Sequence, residues 1–369
     1  EGGIYRIATI VDDDDGGTDV KRQNVFVSGM RLADTGEIQI IADRDAANVY
    51  LFTDRGPSEF AADGVGAAPA GNNLVVVNSD IKDGTDRTYD RASVERVFFR
   101  GSAEGDTFVT FDGTAGETEL QGRGGNDDLR GGSSRDLIKG GNGSDILFGQ
   151  LGRDTIDGGP GSDLIFGDFD APGIGSDDVL FGRKGDDTVI GGGGNDEISG
   201  DLGRDWLAGG FGQDTVLGGK GADVMFGDDD TFLPEYGPLV GREGGPSALR
   251  VLPGGELPNV VSRPGDGADV MDGGEGNDLM YGQGGNDEMS GGLGDDTIVG
   301  GPGDDVLRLG GGRNVVVFDR GDGRDTVYGF GAGSNVIDLR ELDRAVIEDA
   351  ADVRNGEAPV LGVRQEAHP

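Results

Sequence analysis

The sequence predicts an all-β chain wound as a solenoid, and three observations predict it. From Gly122 to Arg308 one nine-residue unit recurs: glycine, glycine, any residue, glycine, any residue, aspartate, any residue, an aliphatic residue, any residue. GGNGSDILF (140–148), GGPGSDLIF (158–166), GGFGQDTVL (209–217) and GGLGDDTIV (291–299) are examples. The eighth place stays apolar, as at Leu129, Ile138, Leu147, Ile156, Leu207, Val216, Met225, Met280, Ile298 and Leu307. No helical period is visible in the roughly 100 residues that open the chain.

Each part of the unit has a physical role. The leading glycines make a turn in which carbonyls and amides point inward, because glycine tolerates positive φ and close approach. The three residues after the aspartate are a minimal strand whose central side chain faces one way and whose flanks face the other. Two units therefore make one coil of about 18 residues, with a strand on each side and a turn at each edge.

The sixth place is aspartate in every unit: Asp127, Asp136, Asp145, Asp154, Asp163, Asp178, Asp187, Asp196, Asp205, Asp214, Asp223, Asp269, Asp278, Asp287, Asp296 and Asp305. Stacked turns thus present carbonyl oxygens and one carboxylate per unit, all hard oxygen ligands. Calcium accepts six to eight such ligands in flexible geometry, whereas magnesium demands a tighter octahedron. With no cysteine and a single histidine, His368, softer metals lack ligands.

This pattern resembles the repeats-in-toxin (haemolysin-type) calcium-binding nonapeptide repeat family. The resemblance covers roughly half of the chain and implies a parallel β-roll with calcium held between successive turns. It further implies that the sixteen aspartates named above are the side-chain ligands, with turn carbonyls of adjacent coils completing each site. Ser134 and Ser176 replace the fourth-place glycine, so their two sites are expected to be weaker or empty. The stretch VVFDRGDGRDTVYGFGAGSNVIDLREL (316–342) resembles the segment that closes such rolls.

Composition sets the working conditions. A formal charge of −39 with 34% apolar residues predicts an expanded, self-repelling chain when calcium is absent. About sixteen calcium ions would supply roughly 32 positive charges, so binding and folding should be one event. Extracellular modules work at about 10⁻⁴–10⁻³ M calcium, which places the folded chain outside a cell. The acidic balance argues against nucleic acid, and no apolar run approaches the ~20 residues of a membrane span.

The chain divides at the ends of the repeat. Residues 1–100 show β-like apolar runs, among them Ile4–Val11, Glu37–Ile41, Asn48–Phe52 and Val94–Phe99, and are expected to extend the stack or form a small β-domain. The acidic run Asp12–Asp15 reads as a solvated turn rather than a calcium loop. Residues 101–308 form the calcium-binding roll, opening with two degenerate turns that carry Asp106 and Thr118 at the aspartate slot. Residues 309–345 are capping turns, with Asn314 at the slot and then Asp325. Residues 346–369 read as a polar tail, either a type I secretion signal of the kind the family uses or a disordered terminus.

Two insertions, near 168–175 and 228–264, interrupt the sixth and twelfth units counted from Gly122. Both units are even, so both insertions should leave one edge of the roll, separated by roughly 14 Å. They read as a binding face or as tolerated surface loops.

The outward places seven and nine differ between alternate units. Odd units carry Ile146, Phe148, Leu164, Phe166, Ile190, Trp206, Val224, Phe226, Leu279 and Tyr281. Even units carry Thr155, Asp157, Glu197, Ser199, Thr215, Asp272, Glu288 and Ser290, with Val179, Phe181 and Leu217 as exceptions. An apolar strip of this size needs a cover. That cover is either another part of the chain or a partner contact centred on Trp206.

Catalytic signatures are absent. There is no H-E-x-x-H, no G-x-S-x-G and no histidine placed to serve a nucleophile. The irregular third place argues against a flat ice-binding array. The sequence is therefore read as a secreted, extracellular or cell-surface bacterial protein. It is non-enzymatic and folded by multiple Ca²⁺ ions, and it acts as a structural or self-assembling subunit (matrix, surface layer or filament) in contact with copies of itself or an extracellular partner. The alternatives are an adhesin or ligand-binding module using the insertions (Tyr236 and Leu239 within the longer one), and a secretion and folding appendage of a larger enzyme.

Overall fold

The structure, a computed structural model, describes residues 96–108, 117–168, 175–228, 267–318, 322–330 and 334–338 in full. It also describes the backbone of Val109 and of strands Ile4–Asp12, Thr18–Phe26, Gly29–Leu32, Glu37–Ile41, Val49–Thr53, Asn73–Asn78, Arg87–Asp90, Ala345–Ala350 and Val360–Gln365. The interiors of both insertions, with Tyr236 and Leu239, and residues 13–15 of the acidic run lie outside the described residues.

The described part is all strand, arranged as a parallel β-roll. Among the described residues the strands sort into a 15-stranded sheet, a 14-stranded sheet and a two-stranded ribbon. Even units, such as Leu137–Asn142, Thr155–Pro160 and Val179–Lys184, supply the larger sheet. Odd units, such as Ile146–Phe148, Leu164–Phe166 and Thr188–Gly193, supply the other. Register is fixed by the eighth place. Ile138 pairs with Ile156, Ile156 with Leu180 and Leu180 with Ile198 on one side, while Leu147, Ile165, Val189 and Leu207 pair in turn on the other. These residues fill the space between the sheets and are fully buried, so each contributes about 1.5–3 kcal/mol by leaving water. A one-residue slip would turn the whole column outward, which is why the register holds across both insertions.

The fourth-place glycine is enforced by sterics. Gly143 has φ +135°, and a Cβ there would lie 1.8 Å from the Gly125 carbonyl oxygen one coil earlier. The fifth place adds a ladder of its own. Ser144, Gln213, Asp295 and Asp304 donate their N–H groups to the side-chain oxygens of Asn126, Asn195, Asn277 and Asn286 in the preceding coil, at 2.8–2.9 Å.

The N-terminal region joins the stack. Glu37–Ile41 runs parallel to Arg96–Arg100 and Val49–Thr53 parallel to Thr107–Val109, so one more coil precedes the repeat in backbone pairing. Antiparallel strands then end each sheet: Gly29–Leu32 on one, Asn73–Asn78 and Arg87–Asp90 on the other. Ile4–Asp12 pairs antiparallel with Thr18–Phe26 as the separate ribbon. The backbone at the other end is paired as well. Val360–Gln365 pairs antiparallel with Arg324–Tyr328, and Ala345–Ala350 pairs with Val360–Gln365. Short alternating runs such as VLGVRQ form a terminal hairpin despite the charged residues between them.

The two faces differ as their side chains do. On the even sheet the outward Glu197, Asp272 and Glu288 are exposed, and Leu217 and Val270 are 37% and 45% exposed. On the odd sheet a second apolar cluster forms outside the roll: Phe166, Ile190, Trp206, Ala208, Phe226, Tyr281 and Val299. Phe148 stacks on Phe166 at 4.7 Å, and Phe226 on Tyr281 at 5.1 Å. Tyr281 is 2% and Trp206 7% exposed within the single chain. The reading of Trp206 as the centre of an open partner surface is therefore corrected, since burial leaves it almost no contact area to offer. No helix among the described residues is long and apolar enough to cross a membrane.

Candidate metal centre

All sixteen repeat aspartates are buried, each at 3% exposure or less. They sit at the inner corners of the turns, and one oxygen of each is already committed. The backbone N–H of each aspartate donates to Oδ1 of the residue at the same slot one coil further on, as in Asp127 to Asp145 at 2.8 Å, Asp136 to Asp154 at 2.7 Å and Asp205 to Asp223 at 2.8 Å, that residue being Asn314 for Asp296. The ladder crosses both insertions without interruption: Asp154 to Asp178 at 2.7 Å and Asp214 to Asp269 at 2.8 Å. Each backbone carbonyl meanwhile accepts from the strand of the next coil, as Asp127 does from Ile146 at 2.7 Å.

The second oxygen is different. Oδ2 of Asp127, Asp145, Asp154, Asp163, Asp178, Asp187, Asp196, Asp205, Asp214, Asp223, Asp269, Asp278, Asp296 and Asp305 is buried without a hydrogen-bond partner. Each faces the first glycine of its own unit. A Cβ on Gly140 would lie 2.2 Å from Asp145 Oδ2 and 2.7 Å from the Gly158 carbonyl oxygen, and Gly122, Gly149, Gly191 and Gly227 repeat the arrangement. A carboxylate oxygen and a backbone carbonyl thus flank a space too tight for a methyl group, and the carboxylate oxygen has no proton donor. Two acceptors so placed repel unless a cation or a proton lies between them. Among the described residues no three acidic or histidine side chains converge on one point. The donor set is one carboxylate plus carbonyls, all oxygen, which fits calcium and not zinc.

The electrostatics agree. Burial first, then neighbouring aspartates, push Asp154 up to about 10 and Asp163 and Asp205 up to about 8, while burial pushes Asp145 up to about 6. The carboxyl groups of the metal-free roll resist ionisation, and a divalent ion reverses that resistance.

Two turns depart from the pattern. Asp136 Oδ2 accepts the N–H of Gly132 at 2.6 Å, so the turn with Ser134 satisfies its own carboxylate. The turn with Ser176 does not share this feature, because Asp178 Oδ2 has no partner. Asp106 belongs to the ladder: its N–H donates to Asp127 Oδ1 at 2.7 Å, and its Oδ2 accepts from Ser102 at 2.6 Å. Asp325 closes the other end, accepting from Asp305 at 3.0 Å, with burial pushing its carboxyl up to about 8. Both occupied the aspartate slot of irregular units, and that slot was the signal that could have added them to the sixteen. Asn314 takes the slot on the opposite edge, where its amide donates to Leu309 O at 2.7 Å.

A family model for the RTX calcium-binding nonapeptide repeat matches residues 112–147, 121–156, 139–171, 172–207, 199–231, 264–298, 281–316 and 290–324. No curated protein matches the chain. The matched segments coincide with the coils that carry the buried aspartate ladder, and the chain belongs to the RTX calcium-binding repeat family, with a β-roll that binds multiple calcium ions.

Proposed function

We propose that this chain is a secreted, non-catalytic β-roll that calcium folds and stiffens, serving as an extracellular structural subunit. In this reading the sixteen repeat aspartates, joined by Asp325, supply the carboxylate ligands, and the turn carbonyls opposite them complete the sites. One observation carries it: buried Oδ2 atoms without partners recur along both edges of the roll. A chain of net charge −39 cannot close such a ladder at low calcium, where each buried carboxylate repels the next. At extracellular calcium the same ladder becomes a column of cross-links between coils.

The test is sedimentation and far-UV circular dichroism in chelator and in millimolar calcium. At pH 8, folding that needs calcium supports the reading; a chain fully folded in chelator at that pH would refute it. Electron microscopy of the calcium-loaded sample then decides assembly. Filaments or sheets that vanish on chelation make the subunit self-assembling, and dispersed particles remove that part of the proposal.

A second reading, a binding module, is favoured by one observation. The strands that follow the two insertions, Val179–Lys184 and Val270–Glu275, lie in the same sheet, so both insertions leave from one edge. Replacing Tyr236 and Leu239 would separate the readings, since only the binding module loses ligand capture while remaining folded.

A further inference from the structure

Three aspartates occupy the second place of a unit, Asp168, Asp201 and Asp228, and two of them, Asp168 and Asp228, stand where the chain leaves the roll. Both are buried, at 2% and 1% exposure. Both reach the residue where the chain returns, because Asp168 Oδ2 accepts the Ser176 N–H at 2.7 Å and Asp228 Oδ1 accepts the Gly267 N–H at 2.8 Å. Each therefore clasps the neck of its insertion.

They differ in the remaining oxygen. Asp228 Oδ2 accepts the Gly284 N–H at 2.9 Å, so both of its oxygens are used. Asp168 Oδ1 is buried with no hydrogen-bond partner. It stands beside the Asp178 carboxylate, since a Cβ on the preceding Gly167 would lie 2.4 Å from Asp178 Oδ2 and 2.5 Å from the Gly191 carbonyl oxygen. Space on the far side is closed, as a Cβ on Gly192 would lie 3.1 Å from Asp168 Cβ. The same place in neighbouring even units is neutral. Gln150 fills it with an amide that donates to Gly131 O at 2.8 Å, and Gly132, Gly192 and Gly210 leave it empty of side chain.

We propose that Asp168 is an additional side-chain ligand to calcium on the edge that holds Asp154 and Asp178, giving that site a second carboxylate beyond the repeat pattern, whereas Asp228 is a structural clasp. The inference rests on the repeat aspartates holding calcium. Its consequence is a site of higher negative charge than the others, which retains calcium longest against a chelator and ties the neck of the first insertion to metal occupancy.

The test is a calcium titration against a competing chelator on the full chain, comparing wild type with D168N and D228N. In D168N asparagine keeps an acceptor for Ser176 and removes the charge. In D228N it keeps an acceptor for only one of Gly267 and Gly284, so this control disturbs the neck without touching the proposed site. D168N should weaken the tightest class of site at least about tenfold, with D228N titrating as wild type. Superimposable D168N and wild-type curves would overturn the proposal, as would equal weakening in D228N, which would mark a general effect of the neck. If D168N does not reach the wild-type circular dichroism at saturating calcium, D168Q replaces it, because glutamine already occupies this place at Gln150. A wild-type chain that binds no calcium would instead sink the underlying reading, a result distinct from any difference between variants.

Discussion

The side-chain amide of Asn314 donates to the carbonyl oxygen of Leu309 at 2.7 Å, while its Oδ1 accepts the N–H of Asp296 at 2.9 Å. Asparagine keeps the ladder bond of the aspartates before it and replaces the unpartnered oxygen with a donor. The turn is complete without a metal ion. Asn335 repeats the device one coil later, accepting from Asn314 at 2.9 Å and donating to Gly329 O at 3.2 Å.

Asn314→Asp should therefore create a site. The ladder bond survives, the amide donor is lost, and a carboxylate faces the Leu309 carbonyl. Calcium counted by equilibrium dialysis should rise by one ion per chain, and the variant should need more calcium to fold. An unchanged count would show that this turn cannot hold metal whatever its side chain.

The first glycine of each unit should tolerate no side chain. In Gly140→Ala the methyl would press on Asp145 Oδ2 and Gly158 O, filling the space between the facing oxygens. The expected result is loss of one ion and a higher calcium midpoint by circular dichroism. Gly124→Ala is the control, because the nearest atom to its Cβ would be 3.7 Å away. It should stay within about 0.5 kcal/mol of wild type.

Acid should partly replace calcium. In the metal-free roll Asp145 is pushed up to about 6, and Asp163 and Asp205 up to about 8, from an ordinary value of 3.8. A folded-state value above the unfolded one means that the folded roll binds protons more tightly. Its stability is therefore greatest below pH about 4 and is lost as pH rises through about 6 to 8. Circular dichroism in chelator from pH 8 down to 4.5 should show β-structure returning on acidification. A signal flat across that range would contradict the raised values.

Core loss should be costly and should read out as calcium demand. Leu147 is fully buried between Leu129 and Ile165 in the odd-sheet column, so Leu147→Ala should destabilise the calcium-loaded roll by about 2–5 kcal/mol. Trp206, the single tryptophan, reports the same transition from outside the roll. Its emission should shift to shorter wavelength on calcium addition and become resistant to iodide quenching. Emission that remains fully quenchable would show that the odd face stays open in solution.

Much of this molecule is legible one unit at a time. An aspartate at the sixth place beside an aliphatic at the eighth determines a turn, a strand and an inward column, because the strand period forces alternate side chains to opposite faces. The sixteen aspartates, the register and the shared edge of the insertions follow from that counting. What the sequence by itself could not determine depends on contacts between coils. Asp136 and Asp145 occupy the same slot, yet only Asp136 has its second oxygen closed by a backbone N–H, from Gly132. Asp168 and Asp228 read alike in sequence, yet only Asp228 meets a donor from the next coil, at Gly284. The apolar odd strip was legible as needing a cover, and only its burial within one chain showed that Trp206 is not an open contact. The periodic pattern specifies what each residue points toward, and tertiary packing decides whether a partner is there to meet it.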